Sequence, residues 1–238
     1  MRSDLYTIAF TTIITIILGL GLSATADSLR ERQILNEELD IKKNILSVLG
    51  YKQDTPWTNE EVQSLYDANI NEIRIDEFGS VIYELDKNEN LSYTIYQSSE
   101  NNKVTGYAIP IAGKGLWGTM YGYLALESDL NTIIGLEFYK DKETPGLGAE
   151  INNPKWKKLW KGKEIYSTNG ELAIQVIKGS VMTDDSGFNN KVDGLSGATI
   201  TGNGVTNLLQ FWLSDLGFQP FLNQLKNNKT LSMESGDV

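Results

Sequence analysis

The run from Leu5 to Ala26, LYTIAFTTIITIILGLGLSATA, contains no charged residue. As an α-helix it would extend about 33 Å, enough to cross the hydrocarbon core of a bilayer. In lipid only a helix satisfies every backbone polar group within one segment, so the first element is fixed before anything else is read. A cleaved signal peptide is the rival reading. Ala24-Thr25-Ala26 has the A-x-A form of a cleavage site, and Arg2 gives a weakly positive start. The apolar core exceeds the roughly 7–15 residues of a signal-peptide core, so a retained anchor over residues 5–26 is expected. Charge does not set its direction. Arg2 precedes the span, Arg30, Arg32, Lys42 and Lys43 follow it, and large domains translocate largely regardless of that bias. A span with no ionisable residue also lacks the groups that an ion pathway uses.

None of the 238 residues is His and none is Cys. Ser-His-Asp triads, thiolate nucleophiles, disulfides, zinc–thiolate sites and iron–sulfur ligation are therefore excluded for this chain. Any redox chemistry must come from a bound cofactor. The formal charge of −10 repels phosphate backbones, so no nucleic-acid partner is expected. Hydrophobic residues at 40% and charged residues at 22% give the composition of a folded domain, not a disordered one.

Behind the anchor, Leu35, Leu39, Lys42, Ile45, Leu46 and Leu49 recur at near-helical spacing, and Gly50 is placed to cap them. Thr58 with Glu61 forms a capping-box signature, followed by a second helical pattern in Val62, Leu65, Tyr66 and Ile70. From Glu72 to Tyr139 the period becomes two. Ile73 and Ile75, then Val81, Tyr83 and Leu85, then Tyr93 to Tyr96 precede Val104 to Ile111, Tyr121 to Leu124 and Ile133 to Phe138. Polar turns separate these runs, which predicts an antiparallel sheet. Asn153-Pro154 opens a short helix carrying Trp156, Leu159 and Trp160. Leu172, Ile174, Val176 and Val181 predict one or two further strands. Val205 to Leu216 predicts an amphipathic helix ending at Gly217, and the residues after Lys226 are expected to fray.

Three glycine-rich segments carry the candidate chemistry. Gly113-Lys114-Gly115-Leu116-Trp117-Gly118 matches G-x-G-x-x-G by letter. It continues as strand where a dinucleotide fold needs a helix, so that reading is rejected. A connection between two strands is the plain reading. The functional one is a Cβ-free surface for a flat ring, lined by Trp117. Glu143-Thr144-Pro145-Gly146-Leu147-Gly148 is either a type II turn or a set of amides and a Thr144 hydroxyl that bond a polar heterocycle. Spacing does not choose between them. Asp193 to Thr201, DGLSGATIT, is a tight turn feeding a helix N-terminus, which suits a phosphate. Its plain reading is an irregular turn whose Thr or Asn caps the helix; its functional reading makes the Thr199 hydroxyl a phosphodiester acceptor. Asp184-Asp185 reads as a solvated turn, and no metal site is expected, because spacing supplies no third ligand.

Taken in order, these segments resemble the covalent-FMN-binding domain family, and within it the C-type members found in sodium-translocating NADH:quinone reductases. The resemblance begins with the anchor and Leu39-Asp40-Ile41-Lys42-Lys43-Asn44-Ile45-Leu46. It continues through Gly115 to Gly122, Glu143 to Glu150 and Asp193 to Thr201, and ends with Phe211 to Leu222. In this family the S/T-G-A-T motif bears FMN on its last Thr. The resemblance thus implies a phosphoester at Thr199, with Ser196, Gly197 and Ala198 near the phosphate. It places Leu116, Trp117, Thr144, Gly146 and Leu147 against the flavin ring. It implies a separate flavin transferase that uses FAD, and other reductase subunits as electron partners. The location implied is the bacterial inner (cytoplasmic) membrane, single-pass, with the domain on the periplasmic side. NADH binding and sodium conduction by this chain, or turnover by it alone, are not expected. Ala149 stands where the family's second glycine-rich segment has a third Gly. The G-type members found in Rnf-type complexes share the attachment motif and anchor, but Lys42 to Leu46 and the Trp212–Leu222 tail favour the quinone reductase. The reading from another class is a non-redox anchored binding module.

The expected architecture is α+β: an anchor over residues 1–26, a connecting helix over 27–50, an FMN-binding domain over 51–228 with antiparallel sheet and flanking helices, and a polar tail over 229–238.

Overall fold

The computed structural model describes residues 2–52, 55–76, 78–82 and 92–234. The chain divides into two units, residues 1–42 and 43–238. Helix α1 runs Arg2–Val48 without a break, so the expected anchor and connecting helix are one element. Within the first unit, Ser3–Arg30 is long and apolar enough to cross a membrane, and none of its apolar window is buried by protein. Thr7, Thr11 and Thr15 donate their hydroxyls to the carbonyls of Ser3, Thr7 and Thr11 at 2.8–2.9 Å. Tucking hydroxyls against the helix backbone hides their polarity, which is consistent with an apolar surrounding.

In the second unit α1 ends as its sequence predicts. Gly50 takes φ +89°, its N–H bonds to Ser47 O, and the Tyr51 N–H bonds back to Leu46 O. That pair of bonds is the Schellman ending, in which a left-handed residue satisfies the last carbonyls. Helix α2 (Asn59–Asn69) opens with the predicted capping box. The Glu61 N–H donates to Thr58 Oγ1, and the Thr58 N–H donates to the Glu61 carboxylate.

Strands β1 (Ile70–Asp76), β2 (Ser92–Glu100), β3 (Lys103–Lys114), β4 (Thr119–Glu127) and β5 (Ile133–Lys140) follow. They form one antiparallel meander in the order β1-β2-β3-β4-β5. Val81 forms only an isolated bridge to Ile75, while Tyr83 and Leu85 of the expected run lie outside the described residues. The period-two pattern sorts side chains to two faces. Ile95, Ile109, Ile111, Met120, Leu124 and Leu136 enter the main core. The opposite face carries Tyr96, Tyr123 and Tyr139, whose rings contact one another in series at 5.8 and 5.3 Å.

On the core face lie α3 (Pro154–Lys158), α4 (Thr199–Trp212) and α5 (Gln219–Glu234). Helix α4 approaches β3 closely because two glycines meet there. A Cβ on Gly204 would lie 2.5 Å from Lys114 O, and one on Gly113 would enter the Leu208 side chain. The Trp212 indole N–H donates to Ala112 O at 2.7 Å, fixing the far end of the helix.

One short strand forms where one or two are expected, and two expectations, the end of α4 and the fraying after Lys226, need correction. Of Leu172 to Val181, only Gln175–Val176 forms a strand, β6. It pairs in parallel with β7 (Lys191–Val192), a strand too short to show periodicity. Helix α4 starts at Thr199 and stops at Trp212, four residues before Leu216, which is exposed. The Phe218 N–H bonds to Trp212 O, so the chain turns there to bury Phe218. Backbone after Lys226 is helical to Glu234 where fraying is expected.

Candidate functional site

Three connections converge at one end of the sheet. The first is the β3–β4 turn, closed by the Gly115 N–H donating to Gly118 O at 2.7 Å, with Leu116 and Trp117 at its tip. Both side chains are exposed, Trp117 at 66%. The second follows β5. The Leu147 N–H bonds to Thr144 O, with Pro145 at the second position and Gly146 at φ +74° at the third. That is a type II turn, the plain reading of this segment. A 3₁₀ turn over Gly148–Asn152 follows. Ala149 lies inside it and has no positive φ, so the missing third glycine costs the backbone nothing.

The third is the segment from Asp193 to Thr201. The Ala198 N–H bonds to Leu195 O, with Gly197 at φ +72°, which makes a second turn of the same kind. Its start is pinned from two sides: Asp193 O accepts the Trp156 indole N–H at 2.8 Å, and Asp193 Oδ1 accepts the Val181 N–H at 2.7 Å. Asp185, by contrast, accepts the Met182 N–H within its own turn.

Helix α4 begins with Ala198 as N-cap, which offers no side-chain cap. Thr199 is the first helical residue and does not cap the helix. Its side chain is exposed and makes no hydrogen bond among the described residues. The first helical bond runs from Gly202 N to Ala198 O. The N–H groups of Thr199, Ile200 and Thr201 precede it and point out of the helix end, where the dipole is positive. Thr199 shares a small depression with Lys178, Gly194, Leu195 and Asn203.

One residue that joins the segments, Glu143, was given no role by sequence reasoning. Glu143 is 7% exposed. Its Oε1 accepts the Trp117 N–H at 3.0 Å, and its Oε2 accepts the Thr201 hydroxyl at 2.5 Å. One carboxylate thus ties the β3–β4 turn and α4 to the loop after β5. Leu147 completes the circuit, since a Cβ on Gly197 would lie 2.8 Å from Leu147 Cδ2. A cleft of about 540 Å³ opens between Gly146, Trp156, Asp193 and Ser196. Gly146 and Leu147 are thereby brought beside Ser196 and Gly197, while Thr199 opens on the separate small depression. Leu116 and Trp117 join them through the Trp117 backbone.

Residues 115–214, which hold all three connections, match the family model described as "FMN-binding domain". The chain is similar to NqrC, the C-type component of Na(+)-translocating NADH-quinone reductase, of Pseudomonas aeruginosa, with 34% identity over 96% of this chain and 98% of that one. Its Pasteurella multocida counterpart is 35% identical over 91% of this chain and 94% of its own. The crystal structure of Shewanella oneidensis NqrC covers 81% of this chain and 99% of its own at TM-score 0.72 and 29% identity. The crystal structure of the Parabacteroides distasonis protein gives 0.67 and 31%, covering 82% and 96%. With its α+β fold and its FMN-binding domain, the chain belongs to the NqrC family of Na(+)-translocating NADH-quinone reductases.

Proposed function

We propose that this chain carries FMN on a phosphoester to Oγ1 of Thr199 and passes electrons between other subunits of a sodium-translocating NADH:quinone reductase. The observation that carries the reading is the Thr199 hydroxyl. It is exposed, has no hydrogen-bond partner among the described residues, and starts a 14-residue helix that no side chain caps. A phosphate esterified there meets free N–H groups and the positive helix end, worth about 0.3–1 kcal/mol at an exposed site. Lys178 lines the same depression and adds a cation. Ser196 and Gly197 form the turn behind the phosphate, and buried Ala198 leaves room for it.

The residues present also fit a flavin ring. Leu116, Trp117 and Leu147 are exposed in the chain alone. A bound ring would cover that apolar area. Thr144 is exposed beside Gly146, where hydroxyl and amides are open to a heterocycle. FMN, when bound, supplies one- and two-electron chemistry that no side chain here has. The protein's part is to hold and orient it.

Attachment uses a flavin transferase: the Thr199 oxygen forms the bond to the FMN phosphorus of FAD, AMP leaves, and the hydroxyl proton passes to the transferase. Residues 5–26 anchor the chain in the bacterial inner membrane, with the domain on the periplasmic side. The test is co-expression with the transferase, followed by a denaturing gel viewed under ultraviolet light. A fluorescent band supports the covalent flavin, and a dark band favours the non-redox binding module.

A further inference from the structure

We infer that Glu143 is the positioning residue of this site, a buried carboxylate that locks the three cofactor segments together and holds the reduction potential of the bound flavin down. The inference rests on the reading that FMN hangs from Thr199 against Trp117 and Thr144.

The two oxygens of Glu143 serve different parts of the chain, one the Trp117 N–H and the other the Thr201 hydroxyl. The backbone that bears it is fixed as well. The Glu143 N–H donates to Asp141 Oδ1 at 2.9 Å, and Asp141 Oδ2 accepts from Asn152 Nδ2 at 2.8 Å. Room for the carboxylate is kept on both sides by glycines. A Cβ on Gly115 would lie 2.5 Å from Oε1, and one on Gly148 would run into Oε2. Neither glycine has a positive φ, so close approach, not turn geometry, is what requires them.

No cation pairs with Glu143 among the described residues. Burying a carboxylate without a counter-ion costs more than burying an amide, and a Gln side chain could accept the Trp117 N–H equally well. A staple alone does not need the charge. The charge has an effect on whatever lies against Trp117 and Thr144. Electrons added to a flavin build negative charge on the ring. A fixed negative group at low dielectric opposes that addition.

The experiment is a reductive titration of the full chain, co-expressed with the transferase and shown to carry covalent flavin, as wild type and as Glu143→Gln. Gln keeps an acceptor for Trp117 and a group that bonds Thr201. The expected result is a flavinylated variant whose midpoint potential moves positive. An unchanged or more negative potential overturns the inference, while absence of flavin from the wild type would instead sink the reading beneath it. A second measurement needs no variant. In wild-type protein made without the transferase, the Trp117 amide should exchange as slowly as those of β4 despite its place at an exposed turn. Rapid exchange there overturns the positioning role.

Discussion

Replacing Gly148 by alanine puts a methyl group into the tightest place in this site. The new Cβ would run into Glu143 Oε2 and lie 2.7 Å from Thr201 Oγ1. Both neighbours are buried and bonded to each other, and Glu143 also holds the Trp117 N–H, so neither can swing away cheaply. Overpacking of this kind costs about 1–3 kcal/mol. Displacing the Thr201–Glu143 bond costs about 1.5–3 kcal/mol, the range for a bond to a charged group. Reduced freedom of the unfolded chain returns about 0.4–1 kcal/mol. The balance is a loss of about 3.5 kcal/mol. Gly146→Ala is the matched control. Nothing lies within 4 Å of a Cβ there, and only its φ of +74° is strained, at about 1 kcal/mol. Urea unfolding of the full chain in detergent measures both, followed by the fluorescence of Trp156, Trp160 and Trp212 in the folded unit. If Gly148→Ala costs no more than Gly146→Ala, the crowding of Glu143 and Thr201 is not what the structure depicts, and the reasoning fails.

Two further outcomes follow from named residues. Thr144→Ala should leave the flavin attached but alter its absorption spectrum or midpoint potential; an unchanged spectrum and potential would remove Thr144 from the site. Stability should fall in alkali. Burial, and then the Glu72 carboxylate that accepts its hydroxyl at 2.8 Å, push the Tyr66 phenol above its ordinary value of 10.0. The native state therefore keeps this proton where the unfolded chain has lost it. The contribution is complete below about pH 10 and declines as pH rises beyond it. Urea midpoints compared between about pH 8 and about pH 11 should drop less for Tyr66→Phe than for wild type. Equal drops would show that Tyr66 is not responsible.

The sheet was legible in the sequence because each long strand repeats its apolar residues at period two, as in Val104 to Ile111. The Gly50 and Thr58–Glu61 signals marked helix ends because those caps are local chemistry within four residues. The pairing of β6 with β7 was not legible, since two-residue strands carry no period and their register depends on the fold around them. The start of α4 was expected behind the Asp193–Thr201 turn, but its end was misjudged. Its stop is set by burial of Phe218. Segments of the site could be found because glycine and proline punctuate them. The residue that joins them could not. Glu143 looks like any charged loop residue, and its partners lie 26 and 58 positions away. The one trace it left was a pair of glycines, Gly115 and Gly148, at positions where no turn demands them.

Peptide mapping reads the proposed bond at the one oxygen atom of Thr199 that would carry it. Trypsin cleaves after Lys191 and next after Lys226, so residues 192–226 form one peptide that holds all of Asp193 to Thr201. From chain co-expressed with the transferase, that peptide should carry the mass of FMN less one water. Fragmentation should place the addition on Thr199, and Thr199→Ala should leave the peptide unmodified in a domain that still folds. An unmodified wild-type peptide, or an addition on Ser196 or Thr201, would contradict the account.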